Sequence, residues 1–363
     1  MDDSNLLDQS APVRGGEELD VPALRAYLLA NLPEAQGNLA IEQFPRGYSN
    51  LTYLLRLGGQ ELVLRRPPFG ANVKSAHDMG REYRILRGLE RIYAKAPRPL
   101  LYCEDPSVIG APFYIMERVQ GVILRERLPA GLDVPPGVMR QVCEALVDTL
   151  AELHSADYRG AGLAELGKAE GYVARQVHGW AQRYERALTH DLPSMRAVAA
   201  WLQANMPPER GAALIHNDFK LDNLVLDAHK LTRVKAVLDW EMATIGDPLM
   251  DLGTTLGYWI QAGDSGELQR IGLARFPGSL RRGEVVARYA ERSGLSPSVL
   301  ADQIVYYYVF GLFKIAVIAQ QIYYRYRQGH TKDARFEQLD AVVAACAGMA
   351  EQAIASGSIE AGT

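Results

Sequence analysis

Two hydrophobic rhythms divide this chain. Near the N-terminus, apolar and polar residues alternate in short runs separated by glycine-containing turns: Ala40-Ile41-Glu42-Gln43-Phe44, then Leu51 to Leu57, then Glu61-Leu62-Val63-Leu64-Arg65. That period of two is the mark of β-hairpins. Beyond Pro135-Pro136 the spacing lengthens to three and four, and Val138 to His154 carries the stripe Val142, Ala145, Leu146, Thr149, Leu150 and Leu153. Two helices are expected among the early strands, over Val21 to Leu32 and over Ala76 to Leu89, the second with Met79, Tyr83, Leu86 and Leu89 on one face. Strands first and helices after imply an α+β chain: an N-terminal antiparallel β-lobe and a larger, mainly helical C-terminal lobe. The expected division is a disordered or weakly docked polar segment over 1–18, a β-lobe over 19–117, a helical lobe over 118–352 and a tail over 353–363.

A chain of 363 residues that is 48% hydrophobic can bury such a core. Its three cysteines, Cys103, Cys143 and Cys346, are distant and odd in number, which argues for reduced thiols rather than a disulfide framework. A net charge of -4 gives no basic footprint for nucleic acid. Met1-Asp2-Asp3-Ser4 lacks the basic and apolar regions of a signal peptide, so a cytoplasmic protein is expected. The run Ile304 to Phe313 is apolar but holds three tyrosines and is interrupted by Lys314. It falls short of the roughly 20 residues that span a bilayer and reads as a buried helix, with no membrane partner.

The chemistry concentrates in Leu214-Ile215-His216-Asn217-Asp218-Phe219-Lys220-Leu221-Asp222-Asn223, followed by Val237-Leu238-Asp239-Trp240. Phosphoryl transfer from a magnesium nucleotide needs a carboxylate beside the attacking hydroxyl and hard oxygen ligands for the metal. Asp218, on the loop leaving the strand-like Ala213-Leu214-Ile215, suits the first role, and Asn223 and Asp239 suit the second. Leu224-Val225-Leu226 and Val234 to Leu238 read as two strands joined by the turn Asp227-Ala228-His229-Lys230. Such a hairpin would return Asn223 and Asp239 to one end.

The pattern H-x-D-x-x-x-x-N, then D-W, then Gly246-Asp247-Pro248-Leu249-x-Asp251-Leu252-Gly253, resembles the aminoglycoside phosphotransferase superfamily, distant relatives of the protein kinases. The likeness covers roughly residues 40 to 350. It is strongest to the phosphotransferase domains fused to, or encoded beside, acyl-CoA dehydrogenases. A bilobal protein-kinase-like fold is what the resemblance implies, with ATP between the lobes and Mg²⁺ on Asn223 and Asp239.

The resemblance also implies roles for residues that carry little signal alone. The turn Arg46-Gly47-Tyr48-Ser49-Asn50 sits where kinases cover the phosphates but has one glycine, so Ser49 and Asn50 would supply hydroxyl and amide contacts. Arg65 falls at the position of the phosphate-pairing lysine, a departure that keeps the charge and gains a fork. Glu82 would position Arg65 as the kinase αC glutamate does. The alternative for Arg65 is a solvated edge-strand charge, and without the family Glu82 reads as a solvent-facing helix partner. Phe113 to Gly121 resembles the inter-lobe hinge, where the backbone from about Glu117 to Val119 would bind the adenine edge.

Around this set, His216 is expected to brace the loop, Asp247 to cap a helix that Pro248 opens, Asp251 to bind loop backbone, and His154 to be a satisfied core histidine. Arg325 and Arg327 are candidates for the phosphates of a CoA thioester, or else arginines at a solvated helix end. The expected activity is transfer of the γ-phosphate of ATP to a hydroxyl of a small molecule, a hydroxyacyl-CoA or related metabolite, by a monomer or homodimer. An aminoglycoside-type antibiotic kinase and a non-catalytic nucleotide-binding pseudokinase are the alternatives. A protein kinase would show an A-P-E segment after D-F-G, whereas Asp239-Trp240-Glu241 runs directly to Gly246-Asp247-Pro248.

Overall fold

The computed structural model describes residues 6–32, 36–45, 50–70, 78–261, 263–271, 276–331 and 333–360. By contacts the chain divides into two units, Met1–Ile123 with Asp157–Leu163 and Leu224–Glu241, and Leu124–Ala156 with Ala164–Asn223 and Met242–Thr363.

The first unit opens with α1 (Val21–Asn31), started by the Asp20 carboxylate accepting from Ala23 N at 2.9 Å. Its one buried stripe, Leu24 and Leu28, is spaced four apart. Next come β1 (Leu39–Gln43), β2 (Leu51–Leu57) and β3 (Gln60–Arg66), within a residue or two of the expected strands. After α2 (Met79–Leu89) follow β4 (Pro99–Cys103), which the sequence pattern did not reveal, and β5 (Phe113–Glu117). The sheet is antiparallel in the order β1-β2-β3-β5-β4, so β3 lies in its interior. Alternation along β3 then matters on both faces. Leu62 and Leu64 join the apolar cluster containing Leu24, Leu28, Tyr53 and Phe113, while Arg65 points to the other face, toward α2.

Helix α2 starts at Met79, capped by Asp78 accepting from Arg81 N at 2.8 Å; Ala76, its expected start, lies outside the described residues. The polar N-terminal segment is not loose where it is described. Ala11 and Gln43 exchange both backbone hydrogen bonds at 2.8 Å, and Tyr53 Oη donates to Glu17 O at 2.7 Å, so backbone pairing docks what composition alone called weakly ordered. In sequence order, β6 (Ala213–Ile215) of the second unit precedes the hairpin β7 (Leu224–Leu226) and β8 (Val234–Val237), which belongs to the first unit. Leu224 pairs with Val237, and Asp227 caps the turn by accepting from His229 N and Lys230 N.

The second unit holds α3 (Pro136–His154), α4 (Tyr172–Arg186), α5 (Pro193–Ala204), α6 (Pro248–Tyr258), α7 (Arg282–Ser293), α8 (Pro297–Arg327) and α9 (Leu339–Ser356). β6 pairs antiparallel with a short strand that the sequence pattern did not reveal, β9 (Thr244–Gly246). Helices α6 and α8 touch backbone to backbone: a Cβ on Gly253 would lie 2.1 Å from Tyr307 O, and one on Gly311 2.0 Å from Gly253 O. Only glycine permits that approach. α8 runs 31 residues, well past the apolar run read from sequence. Its stretch Leu300–Arg327 is long and apolar enough to cross a membrane by length and composition, as is Ala334–Ser356. The α8 window is 72% buried within the chain, the condition of a core helix.

Candidate active site

In the first unit the central strand β3 delivers Arg65 into a buried cluster of acids. Its Nη1 donates to Glu82 Oε1 at 2.5 Å, and Nη1 and Nη2 both reach Asp239 Oδ1 at 3.2 Å. Glu241 Oε2 lies 3.5 Å from Nη2. Arg65 is 7% exposed and Glu82 2%, so neither is the solvated surface charge that each would be taken for without the family. Burial would favour a neutral Arg65, but Glu82, Tyr114, Asp239 and Glu241 together hold it cationic. Arg65 Nε is buried without a hydrogen-bond partner among the described residues, a spare donor of the kind a phosphate oxygen would satisfy.

Asp239 takes its place through the tryptophan that follows it. Trp240 is 1% exposed, donates Nε1–H to Val237 O at 2.8 Å and meets Tyr93 edge to face at 5.9 Å. With the chain pinned there, Asp239 adopts φ +67°, a left-handed turn uncommon for a side-chain-bearing residue. Its side chain is 35% exposed, and only Oδ1 lies in the Arg65 fork. Asn50 is buried and donates to Glu241 Oε2 at 2.8 Å; Ser49 lies outside the described residues. At the end of β5 the Glu117 N–H goes to Arg98 O at 2.9 Å. Val119 packs with Leu238 against buried Ile123, Val225 and Ala236, an apolar platform beside the expected hinge.

In the second unit the loop after β6 is gripped from below by Asp251 of α6. Its two oxygens accept from His216 N at 2.6 Å and Asn217 N at 2.8 Å, and Oδ2 also meets His154 Nε2 at 3.1 Å. Burial pushes the Asp251 carboxyl up, but His154 and these donors outweigh it and leave it low. His154 is a satisfied core histidine, its Nδ1 2.7 Å from Tyr289 Oη. His216 braces the loop, its Nδ1 taking Asp218 N at 3.3 Å. Asp247 caps α6 by accepting from Leu249 N at 2.8 Å, with Pro248 in the first turn.

Asp218 itself is partly buried. Lys220 Nζ lies 3.2 Å from its Oδ2 and 4.6 Å from the centre of the Tyr258 ring. Asn223 Nδ2 donates to Asp218 O at 2.8 Å and to Oδ2 at 3.0 Å. Burial pushes the Asp218 carboxyl up, yet Lys220, His216 and Lys314 pull it below the usual carboxylate range. The ionised form is the one that can accept a hydroxyl proton.

A cleft opens beside this loop. Leu124, Leu221, Trp259, Ile260 and Phe276 make it largely apolar. Lys220, Asp222 and Arg125 supply its charges, with the Asp222 carboxyl pushed up to about 6 by burial. Sequence reasoning did not single out Lys220, Asp222, Tyr258, Glu241 or Lys314. Lys220 and Asp222 stood inside the recognised motif, where a basic and an acidic residue flanking Asp218 were signal enough to look.

The implied nucleotide and metal fit these residues. No cluster of three or more His, Cys, Asp or Glu able to hold a metal occurs among the described residues. The Asn223 amide oxygen in the second unit and the Asp239 carboxylate in the first are each a hard-oxygen donor of the kind that Mg²⁺ takes alongside phosphates and waters. Arg325 and Arg327 lie exposed at the end of α8, where Arg327 donates to Tyr323 Oη at 3.0 Å; that is the solvated helix end.

A model of the APH phosphotransferase enzyme family matches residues 40–287. Acyl-CoA dehydrogenase family member 11 of Gallus gallus is 36% identical over 329 residues, covering 88% of this chain and 42% of that protein. Family member 10 of Mus musculus is 33% identical over 336 residues, 90% of this chain and 30% of its own length. The chain thus spans about two fifths or less of these curated relatives. Among solved structures, a Ralstonia eutropha JMP134 protein designated an aminoglycoside phosphotransferase superposes with TM-score 0.77 at 29% identity, covering 92% of this chain and 99% of its own. Choline kinase of Cryptosporidium parvum does so with TM-score 0.65 at 12% identity, covering 94% and 98%, a likeness of fold alone. The fold is α+β and protein-kinase-like. With the H-x-D-x-x-x-x-N loop and the D-W turn both inside or beside the geometry described above, the chain belongs to the APH phosphotransferase enzyme family.

Proposed function

We propose that this chain is an ATP-dependent small-molecule kinase whose acceptor is a hydroxyl on the apolar acyl chain of a hydroxyacyl-CoA or related metabolite. The observation that carries the reading is Asp218, an ionised carboxylate held by Asn223 and by Lys220, which itself lines an apolar, aromatic cleft. Asp218 orients the acceptor hydroxyl and takes its proton at a carboxylate oxygen. Lys220, beside it, neutralises charge gathering near that oxygen.

Bound Mg·ATP supplies the phosphoryl group and the cation that offsets its charge. Asn223 and Asp239 would each offer an oxygen to the metal, and Arg65, fixed by Glu82, would grip phosphate oxygens. The backbone from Glu117 to Val119 would bind the adenine edge, and the apolar group of Val119, Ile123, Val225 and Ala236 would offer a surface to the ring. Asn50 would offer its amide to the phosphates.

The cleft favours an acyl acceptor over a polycationic amino sugar. Its walls are Leu124, Trp259, Ile260 and Phe276, and its charges are mixed rather than a bank of carboxylates. The relatives are named for acyl-CoA dehydrogenases, which fits action on a CoA thioester alongside such an enzyme. Phosphorus NMR of the protein with Mg·ATP and, in separate tubes, hydroxyacyl-CoAs, free hydroxy acids, amino sugars and choline tests this. A new phosphomonoester resonance in the hydroxyacyl tubes is the expected result. Transfer to amino sugars or choline alone contradicts the acceptor class, and no transfer to any hydroxyl favours a nucleotide sensor.

A further inference from the structure

Lys314 sits midway along α8 and is 2% exposed, in a stretch of helix otherwise made of Tyr, Val, Phe, Leu, Ile, Ala and Gly311. Removing an ammonium from water costs several kcal/mol, and a methionine would fill the same space without that penalty. The charge is therefore informative by its position.

Its Nζ donates to Asn217 O at 2.6 Å and lies 3.5 Å from Asn217 Oδ1. Asn217 has φ +66°, a left-handed conformation, and its other polar atoms are held as well. Its N–H goes to Asp251 at 2.8 Å, and its side-chain amide reaches Tyr172 Oη at 3.2 Å and Met242 O at 3.1 Å. The carbonyl of Asn217 and the N–H of Asp218 belong to one rigid peptide plane. That plane is tied at its carbonyl end by Lys314 and at its amide end by His216 Nδ1, 3.3 Å away. Asp251 ties the preceding plane.

We propose that Lys314 is a positioning residue for Asp218: from the middle of α8 its ammonium fixes the rotation of the 217–218 peptide and so the direction in which Asp218 presents its carboxylate. The inference rests on the reading of Asp218 as the proton acceptor. A passive core lysine would alter stability only; a positioning lysine alters loop geometry and turnover while nucleotide binding stays in place.

The test uses Lys314→Met, which removes charge and donor, and Lys314→Gln, which keeps a donor. Crystal structures of both variants, Mg·ADP affinity by calorimetry and steady-state kinetics with the best acceptor found are compared with the wild type. In K314M the Asn217 φ should leave the left-handed region, ADP affinity should stay within about twofold, and kcat should fall about a hundredfold at little-changed acceptor KM, the penalty for a misplacement of about 1 Å. K314Q should recover part of the rate. An unmoved Asn217 in K314M, kcat within about threefold of wild type, or loss of folding in both variants overturns the proposal. If the wild type phosphorylates no acceptor, the kinase reading fails, whereas the Asn217 geometry in K314M still decides whether Lys314 holds the peptide.

Discussion

Asn223 and Asp218 are joined twice: the asparagine amide donates to the backbone carbonyl of Asp218 at 2.8 Å and to its carboxylate at 3.0 Å. The five-residue spacing thus closes a small ring in which the amide nitrogen is committed and the amide oxygen is left for another partner. A hydrogen bond that orients one residue also selects which atom the other turns outward.

Asn223→Ala removes both the metal oxygen and the donor that steadies Asp218. The Mg²⁺ concentration needed for half-maximal activity is expected to rise about tenfold to a hundredfold, with the fold intact by circular dichroism. Titration of activity with Mg²⁺ at saturating ATP checks this; an unchanged requirement would remove Asn223 from the metal site.

Arg65 and Glu82 form a buried pair, so deleting one partner strands the other. Arg65→Ala is expected to cost about 3–5 kcal/mol in urea unfolding, and Arg65→Met with Glu82→Leu to restore most of it. Arg65→Lys keeps the charge but loses the fork and should raise the KM for ATP more than it lowers stability. Equal stability of the single and double variants would argue against the pair.

Asp251 joins α6 to the loop through its ionised form. Its folded carboxyl is held low, so its contribution to stability is fully present above the unfolded value of about 3.9 and is lost as pH falls through the lower folded value. Compared with Asp251→Asn, the wild-type advantage in urea midpoint should hold from about pH 6 to pH 5 and shrink below about pH 4. A constant difference across that range contradicts the assignment.

Lys314 gives a slope of the same sign in an alkaline window. Burial lowers its ammonium to about 8 from 10.5 despite Asp251 and Asp218 nearby, while Lys220 and Arg183 add to the lowering. Between those values the unfolded chain binds the proton more strongly, so stability relative to Lys314→Met should rise with pH from about 8 toward 10.5. Denaturant midpoints across that range decide it, and a falling difference would show that Lys314 is stabilised as a cation.

The pairing of Asp218 with Asn223 was readable because five-residue spacing within one loop is a local fact. The burial of Arg65 was not local. It depends on β5 pairing with β3 rather than leaving that strand at an edge, and on a fourth strand, β4, whose Pro99-Leu100-Leu101 run carries no alternation. Lys314 was visible only as a break in an apolar run, since its partner Asn217 lies 97 positions away. Asn217 did carry a signal, because asparagine tolerates left-handed turns better than most residues. The docking of residues 6–18 was hidden because it rests on backbone bonds such as Ala11 to Gln43, to which side-chain composition is blind.

The account stands or falls on Asp218. Acceptor-dependent ATP consumption by the wild type and by Asp218→Asn, each with Mg²⁺ and a hydroxyacyl-CoA, should differ by about a hundredfold to ten-thousandfold while Mg·ADP affinity remains the same. Equal turnover by the two proteins would contradict it.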